Sequence, residues 1–84
     1  MADCVPMRFQ TQARYYQVDL YQDMFLDWVV VCDYGGRYTR AAHRKIIAVD
    51  DHQSGLNLVA KIAKMRVRHG YSQVSLKMLR KKYV

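Results

Sequence analysis

Residues 13–34 read ARYYQVDLYQDMFLDWVVVCDY, and this stretch decides the fold class. An extended chain places Tyr16, Val18 and Leu20 on one side and more polar residues on the other, which is the period of a half-buried strand. Residues 21–27 interrupt the alternation, and β-branched and aromatic residues resume over 28–34. The stretch therefore predicts two antiparallel strands joined by a loop.

The residues that follow predict a further strand and then one long helix. Gly35 and Gly36 favour a tight turn or a bulge, because glycine adopts positive φ without strain. Residues 44–49 predict a third strand. The helix is expected over residues 55–69, and its N-cap is Asp51 or Ser54.

Gly70 is the expected C-cap of this helix, and Tyr71 is expected to fold back onto it. Residues 74–79 favour either a last strand or a short helix, and the pattern does not decide between them. The elements together predict an α+β fold, an antiparallel sheet of four or five strands packed against one long helix.

Apolar residues occupy more than one face of the predicted helix. Those expected to meet the sheet fall within about a 100° arc, and they are Leu56, Val59, Ala60, Ala63 and Val67. A second apolar stripe, to be covered by the chain termini or by a second chain, consists of Leu58, Ile62 and Met65. The aromatic residues assigned to the core are Tyr16, Phe25, Trp28 and Tyr71.

The length of 84 residues allows one small domain. Residues 1–12 contain the one proline, Pro6, and are expected to be an N-terminal extension, partly ordered by packing onto the domain. The domain is expected over residues 13–76. Residues 77–84 are expected to be a basic C-terminal tail.

Positive charge is concentrated in the second half of the chain. The net charge is +7; residues 1–36 hold two Arg and five Asp, whereas residues 37–84 hold twelve Lys or Arg and two Asp. Such asymmetry points to a polyanionic partner, with nucleic acid ahead of an acidic membrane surface or an acidic protein.

Two sets of residues are the candidate nucleic-acid contacts. A glycine turn flanked by aromatic and basic side chains can approach phosphate and stack on a base, and it comprises Tyr34, Gly35, Arg37, Tyr38 and Arg40. A phosphate-tracking surface is expected from Arg44, Lys45, Lys61, Lys64 and Arg68. The alternative for both sets is an ordinary glycine-rich turn and a solvated helix face.

The sequence gives little support for other classes of site. The three histidines lack the spacing of metal ligands, so neither a metal nor another cofactor is expected. Cys32 lies in a β-branched run and is expected to be an inert core residue, which leaves no nucleophile motif and no enzyme prediction. Two cysteines and no spanning or export pattern favour the cytoplasm and exclude the membrane as an expected partner.

Residues 13–74 resemble a WGR domain, the module of poly(ADP-ribose) polymerases and of many short bacterial proteins. The resemblance rests on Arg14-Tyr15-Tyr16 with Leu20, on Asp23-Met24-Phe25 with Trp28 and Val30, on Tyr34-Gly35-Gly36 in place of Trp-Gly-Arg, and on His69-Gly70-Tyr71. It implies a role at DNA ends, in which Tyr34 would contact sugar or base. Gly36 cannot replace the signature arginine, but Arg37 is adjacent.

The sequence thus predicts a non-catalytic nucleic-acid-binding module, with DNA as the expected partner. The alternative is a protein-interaction or homodimerisation module that uses the apolar helix stripe and the basic surface.

Overall fold

The chain folds into a five-stranded antiparallel sheet with one helix packed on it, as shown by a computed structural model that describes residues 6–74. The strands are β1 (Met7–Gln10), β2 (Arg14–Gln22), β3 (Trp28–Gly36), β4 (Ala42–Val49) and β5 (Ser72–Val74), and the helix is α1 (His52–Arg68). The strand order is β4-β3-β2-β1-β5. The predicted α+β class is therefore confirmed.

The core lies between the helix and the alternating residues of one sheet face. Val18 of β2 pairs with Cys32 of β3, and both side chains are fully buried, as is Val30. From the helix, Val59 reaches this cluster. Cys32 is thus the core residue that its β-branched neighbours predicted.

The first strand lies in the segment expected to be an N-terminal extension, and it pairs within the sheet. Met7–Gln10 pair with β2 on one side and with β5 on the other, and Phe9 is fully buried. A buried phenylalanine contributes more to a small core than most single residues. The structure describes the chain as far as Val74. The rest of the strand or helix predicted over residues 74–79, the basic tail and residues 1–5 lie outside the described residues.

Gly35 and Gly36 lie within β3, where they pair with Tyr15 and Arg14, so the tight turn predicted at these glycines is wrong. The chain reverses over residues 37–41 instead. A Cβ on Gly35 would overlap the carbonyl oxygen of Ala41. Glycine is needed here for a close approach between backbones and not for a positive φ.

The N-cap of the helix is one of the two residues predicted, whereas the C-cap lies one residue before the predicted position. Asp51 is the N-cap, and its carboxylate accepts a hydrogen bond of 2.8 Å from the Ser54 amide, which lowers the pKa of Asp51. At the other end Gly70 has φ +89, and the Tyr71 amide donates to the Arg66 carbonyl at 2.9 Å. This pattern is a Schellman motif.

The helix is rotated relative to the predicted core face. Val59 is buried and Leu56 and Ala63 pack on the core, but Ala60 is exposed and Val67 is 59% exposed. The second apolar stripe of the helix is largely covered by the protein itself, because two of its three residues, Leu58 and Ile62, pack on the core.

The aromatic assignments hold for three residues of four. Tyr16, Trp28 and Tyr71 pack against the core, and the Trp28 ring lies 4.8 Å from that of His52 at the start of the helix. Phe25 was expected in the core but is 76% exposed in the β2–β3 loop. Its position in a turn, beyond the last paired residues, removes it from the sheet face.

Candidate functional site

The two ends of the sheet carry opposite charge. Because β2, β3 and β4 are antiparallel, one end of the sheet contains residues 11–14, the loop 37–41 and the C-terminal end of α1. We call this end the cleft pole. The opposite end contains the loop 23–27 and the N-terminal end of α1, and we call it the hairpin pole. Cations at the cleft pole are Arg14, Arg37, Arg40, Arg66 and Arg68, and acids at the hairpin pole are Asp23, Asp27, Asp50 and Asp51.

An open cleft of about 740 Å³ lies at the cleft pole on the helix-bearing face of the sheet. Within residues 6–74, its lining combines aromatic rings with three cations, Arg14, Lys45 and Arg66, and includes no carboxylate. Gly35 and Gly36 contribute backbone to the lining. The size is within the range of ordinary ligand sites, and the charge selects an anionic ligand.

Three rings form a stacked column along one side of this cleft. Tyr16, Tyr34 and His43 are directly opposite one another on β2, β3 and β4. Successive ring centres are 5.4 Å apart, with interplanar angles of 13° and 26°. Both faces of Tyr34 are therefore occupied by neighbours, so Tyr34 presents its edge to a ligand.

His43 is the end of the column from which stacking can continue. It is exposed and belongs to β4, which is an edge strand of the sheet over residues 6–74. A planar base placed against its outer face would extend the column by one ring. Sequence reasoning assigned the stacking role to Tyr34 or Tyr38, and the register of β3 and β4 adds His43 to the candidates.

Arg66 lies at the other end of the column and was not among the predicted site residues. Its guanidinium carbon is 4.5 Å from the ring centre of Tyr16 and 5.3 Å from that of Tyr71. Its Nε is buried and has no hydrogen-bond partner among residues 6–74. Helical phase could have identified it, because Arg66 follows Val59 by seven residues and so shares its sheet-facing side.

Burial of the Tyr16 hydroxyl, with a smaller effect from the adjacent Cys32 thiol, raises the pKa of Tyr16 above its ordinary value. Tyr16 therefore stays neutral, and it does not cancel the charge of Arg66. In the described part of the chain, the one salt bridge is that between Arg44 and Asp33, so Arg66 has no carboxylate partner there.

The loop 37–41 forms the rim of the cleft, since Thr39 and Ala41 belong to its lining. Arg37 donates to the Thr11 carbonyl at 3.0 Å and lies 5.3 Å from the Tyr38 ring centre. These contacts fix the loop against the β1–β2 turn. Tyr38 is 78% exposed and Arg40 is also exposed, so both are accessible to a ligand at the rim.

The five residues predicted as one phosphate-tracking surface are distributed over three places. Arg44 lies on the sheet face opposite to the helix and pairs with Asp33 through contacts of 2.8 and 3.3 Å, which raise the pKa of Arg44. Lys45, the next residue along the strand, points to the other face and lines the cleft. Alternation along β4 separates the two.

The helix cations form a separate ridge, defined by Lys61, Lys64 and Arg68. At 100° per residue, Lys61 is about 160° away from Val59, and Arg68 is equally far from Arg66. The ridge therefore does not face the buried core. Lys64 and Arg68 border a second pocket of about 440 Å³ with Phe9 and Gln73, and over residues 6–74 this pocket shares no lining residue with the cleft.

Comparison of the chain with protein-family models, with curated proteins and with solved structures found no match. Within residues 6–74 there is no cluster of three or more His, Cys or acidic residues that could hold a metal ion. Across the same residues, no helix is long and apolar enough to cross a membrane. The function is therefore argued from the cleft.

Proposed function

We propose that the chain is a non-catalytic nucleic-acid-binding module and that the cleft pole contacts the nucleic acid. The observation that carries this proposal is the lining of the cleft over the described part of the chain, where a stacked column of rings adjoins three cations and no carboxylate. Phosphate needs the cations and an unpaired base needs a ring face. Both are available within one cleft.

The residues have distinct roles in this proposal. Arg14 and Lys45 are exposed cations that pair with phosphate oxygens at the mouth of the cleft. Arg40 adds a phosphate contact from the rim. His43 stacks on a base, which requires that the base be unpaired or at an end. Gly35 and Gly36 contribute backbone to the lining, and Ala41 and Thr39 fill the places that their side chains would take.

DNA is proposed as the partner because of the resemblance to WGR domains. The position of the signature aromatic residue is occupied by Tyr34, which lies in the cleft, and Arg37 stands beside the position of the signature arginine. These placements support a contact at the same part of the fold. Arg37 donates to the Thr11 carbonyl, so its main role is to hold the rim in place.

The test is fluorescence anisotropy with short labelled DNA in three forms: a single strand, a blunt duplex and a duplex with an overhang. The cleft variant is Arg14→Glu with Lys45→Glu, and the matched control is Lys61→Glu with Lys64→Glu on the ridge. Both change the net charge equally. All four positions are exposed, so both variants should fold.

The wild-type protein should favour the single strand or overhang over the blunt duplex. The cleft variant should lose about tenfold or more in affinity, since each charged hydrogen bond contributes roughly 1.5–3 kcal/mol. The ridge variant should lose less than about threefold, from general electrostatic attraction alone. Equal losses in both variants, or no binding by the wild type, would contradict the proposal.

A further inference from the structure

The β2–β3 hairpin ends in three consecutive large apolar residues that face solvent. Met24, Phe25 and Leu26 are 87%, 76% and 74% exposed. We call these three residues the tip. Contiguous apolar surface of this kind marks an interaction site more often than single exposed apolar residues do.

The shape of the tip is fixed without any contribution from its own apolar side chains. The Asp23 carboxylate accepts hydrogen bonds from the amides of Phe25 and Asp27 at 2.9 and 3.0 Å. The Asp23 amide donates to the Asp27 carbonyl at 2.9 Å, and the Leu26 amide donates to the Asp23 carbonyl at 3.0 Å. The tip is thus a preorganised surface, which lowers the entropic cost of docking.

Leu26 adopts φ 67, a left-handed conformation in which glycine or asparagine is less strained. Leucine at this position therefore costs more conformational free energy than glycine or asparagine would. Burial of the leucine side chain against a partner would offset this cost.

The surroundings of the tip specify a cationic partner. Asp23 and Asp27 flank it, Asp50 and Asp51 lie at the same pole, and the chain has no Lys or Arg over residues 15–36 or 46–60. The partner must therefore combine positive charge with aromatic or apolar surface. The cleft at the opposite pole has both properties, because Arg14, Lys45 and Arg66 adjoin its tyrosines and no carboxylate among the described residues lines it.

We propose that the tip of one copy inserts into the cleft of a second copy, so that the protein self-associates head to tail. A tip cannot reach the cleft of its own chain, because the two lie at opposite ends of nine-residue strands, a separation of about 26 Å. The contact joins two different surfaces, and it leaves one tip and one cleft free. Such a heterologous contact extends into longer chains of subunits.

The cleft in this inference is the one proposed to bind nucleic acid, but the inference does not depend on that function. Its test contains no nucleic acid, and the two proposals can fail separately. If both hold, DNA and a neighbouring subunit compete for the cleft.

The experiment is sedimentation velocity on the full chain from micromolar to millimolar concentration at low salt. The tip variant is Met24→Ser with Phe25→Ser, and the cleft variant is Arg14→Glu with Lys45→Glu. The control is Ile46→Thr, which removes apolar surface from a residue that is 61% exposed on β4. Circular dichroism verifies that each variant is folded, and Arg14→Gln with Lys45→Gln is the milder cleft variant if the first does not fold.

The average mass of the wild type and of the Ile46→Thr control should rise with concentration and should fall as salt is added. The tip variant and the cleft variant should each be monomeric when measured alone. An equimolar mixture of the two should form dimers and nothing larger, because the tip variant retains a functional cleft and the cleft variant retains a functional tip.

Three results would overturn the inference. A wild-type protein that stays monomeric at the highest concentration has no such contact. A cleft variant that associates as the wild type does points to symmetric contact between tips. A mixture that remains monomeric shows that tip and cleft do not bind each other.

Discussion

Replacement of Arg66 by methionine should separate the binding role of this residue from its contribution to stability. Methionine keeps an unbranched side chain at a sheet-facing position of the helix but removes the guanidinium. Three contacts are lost: those to the Tyr16 and Tyr71 ring centres at 4.5 and 5.3 Å, and one of 3.5 Å between an Arg66 Nη and His69 Nδ1. At about 1 kcal/mol for each partly buried cation–π contact, loss of the two ring contacts costs roughly 2 kcal/mol, and the long, exposed contact to His69 adds little.

The same substitution removes a buried Nε for which the described residues provide no hydrogen-bond partner. An unsatisfied buried donor costs about 1–3 kcal/mol, so its removal offsets the lost ring contacts. The free energy of unfolding of Arg66→Met should therefore stay within about 1 kcal/mol of the wild-type value, because the two terms are similar in size.

The affinity of Arg66→Met for DNA should fall, although its stability should not. Arg66 is one of the three cations that line the cleft, and the loss of one charged hydrogen bond to phosphate weakens binding by about tenfold or more. Urea unfolding followed by circular dichroism measures stability, and anisotropy with a labelled single strand measures affinity. A fall in stability of more than about 2 kcal/mol with unchanged affinity would refute the reasoning, since it would make Arg66 a purely structural residue.

Three further substitutions test the fold. Phe9→Ala should lower the free energy of unfolding by about 3–5 kcal/mol in urea titrations, because Phe9 is fully buried; a loss below about 1 kcal/mol would place β1 outside the core. Gly35→Ala should lower the melting temperature, because a Cβ would overlap the Ala41 carbonyl, whereas an unchanged value would show that the β3–β4 approach is loose. Since the Ser54 amide lowers the pKa of Asp51, the contribution of Asp51 to stability is present above its unfolded pKa of about 3.9 and is lost as pH falls through the lower folded value. When the pH is lowered from neutral to about 3, the urea midpoint of Asp51→Asn should therefore decrease less than that of the wild type. Equal decreases would contradict this assignment.

Much of the fold could be predicted because it depends on local patterns. The alternation along β2 and the β-branched run of β3 identify two long strands, and Asp51 and Gly70 identify the ends of the helix. Met7–Gln10 also alternates, but four residues next to a proline carry too weak a signal to distinguish a strand from an extension. Its burial depends on pairing with both β2 and β5, which are distant in sequence.

The orientation of the helix was predicted less well, for a physical reason. The sequence pattern assigns Leu58 and Ile62 to a separate stripe and leaves Arg66 among the polar residues, so the expected core face is displaced toward Val67. In the structure Arg66 faces the sheet because tyrosine rings, and not carboxylates, receive its charge. An arginine at a core phase near several tyrosines is the signal that would have corrected the rotation.

The candidate site could be predicted only in part. Three of the predicted residues, Tyr34, Gly35 and Lys45, line one cleft. The separation of Arg44 from Lys45 follows from strand alternation and was accessible from the sequence. The column of Tyr16, Tyr34 and His43 was not, because it depends on the register of three strands, which residue patterns did not specify.

The central claim is that the cleft pole, and not the helix ridge, contacts nucleic acid. The most direct test is a two-dimensional amide NMR titration of the full chain with a short single-stranded DNA at physiological salt. Chemical-shift changes should concentrate on Tyr16, Tyr34, His43 and the loop 37–41. Changes confined to the ridge of Lys61, Lys64 and Arg68, or no changes at saturating DNA, would contradict the account.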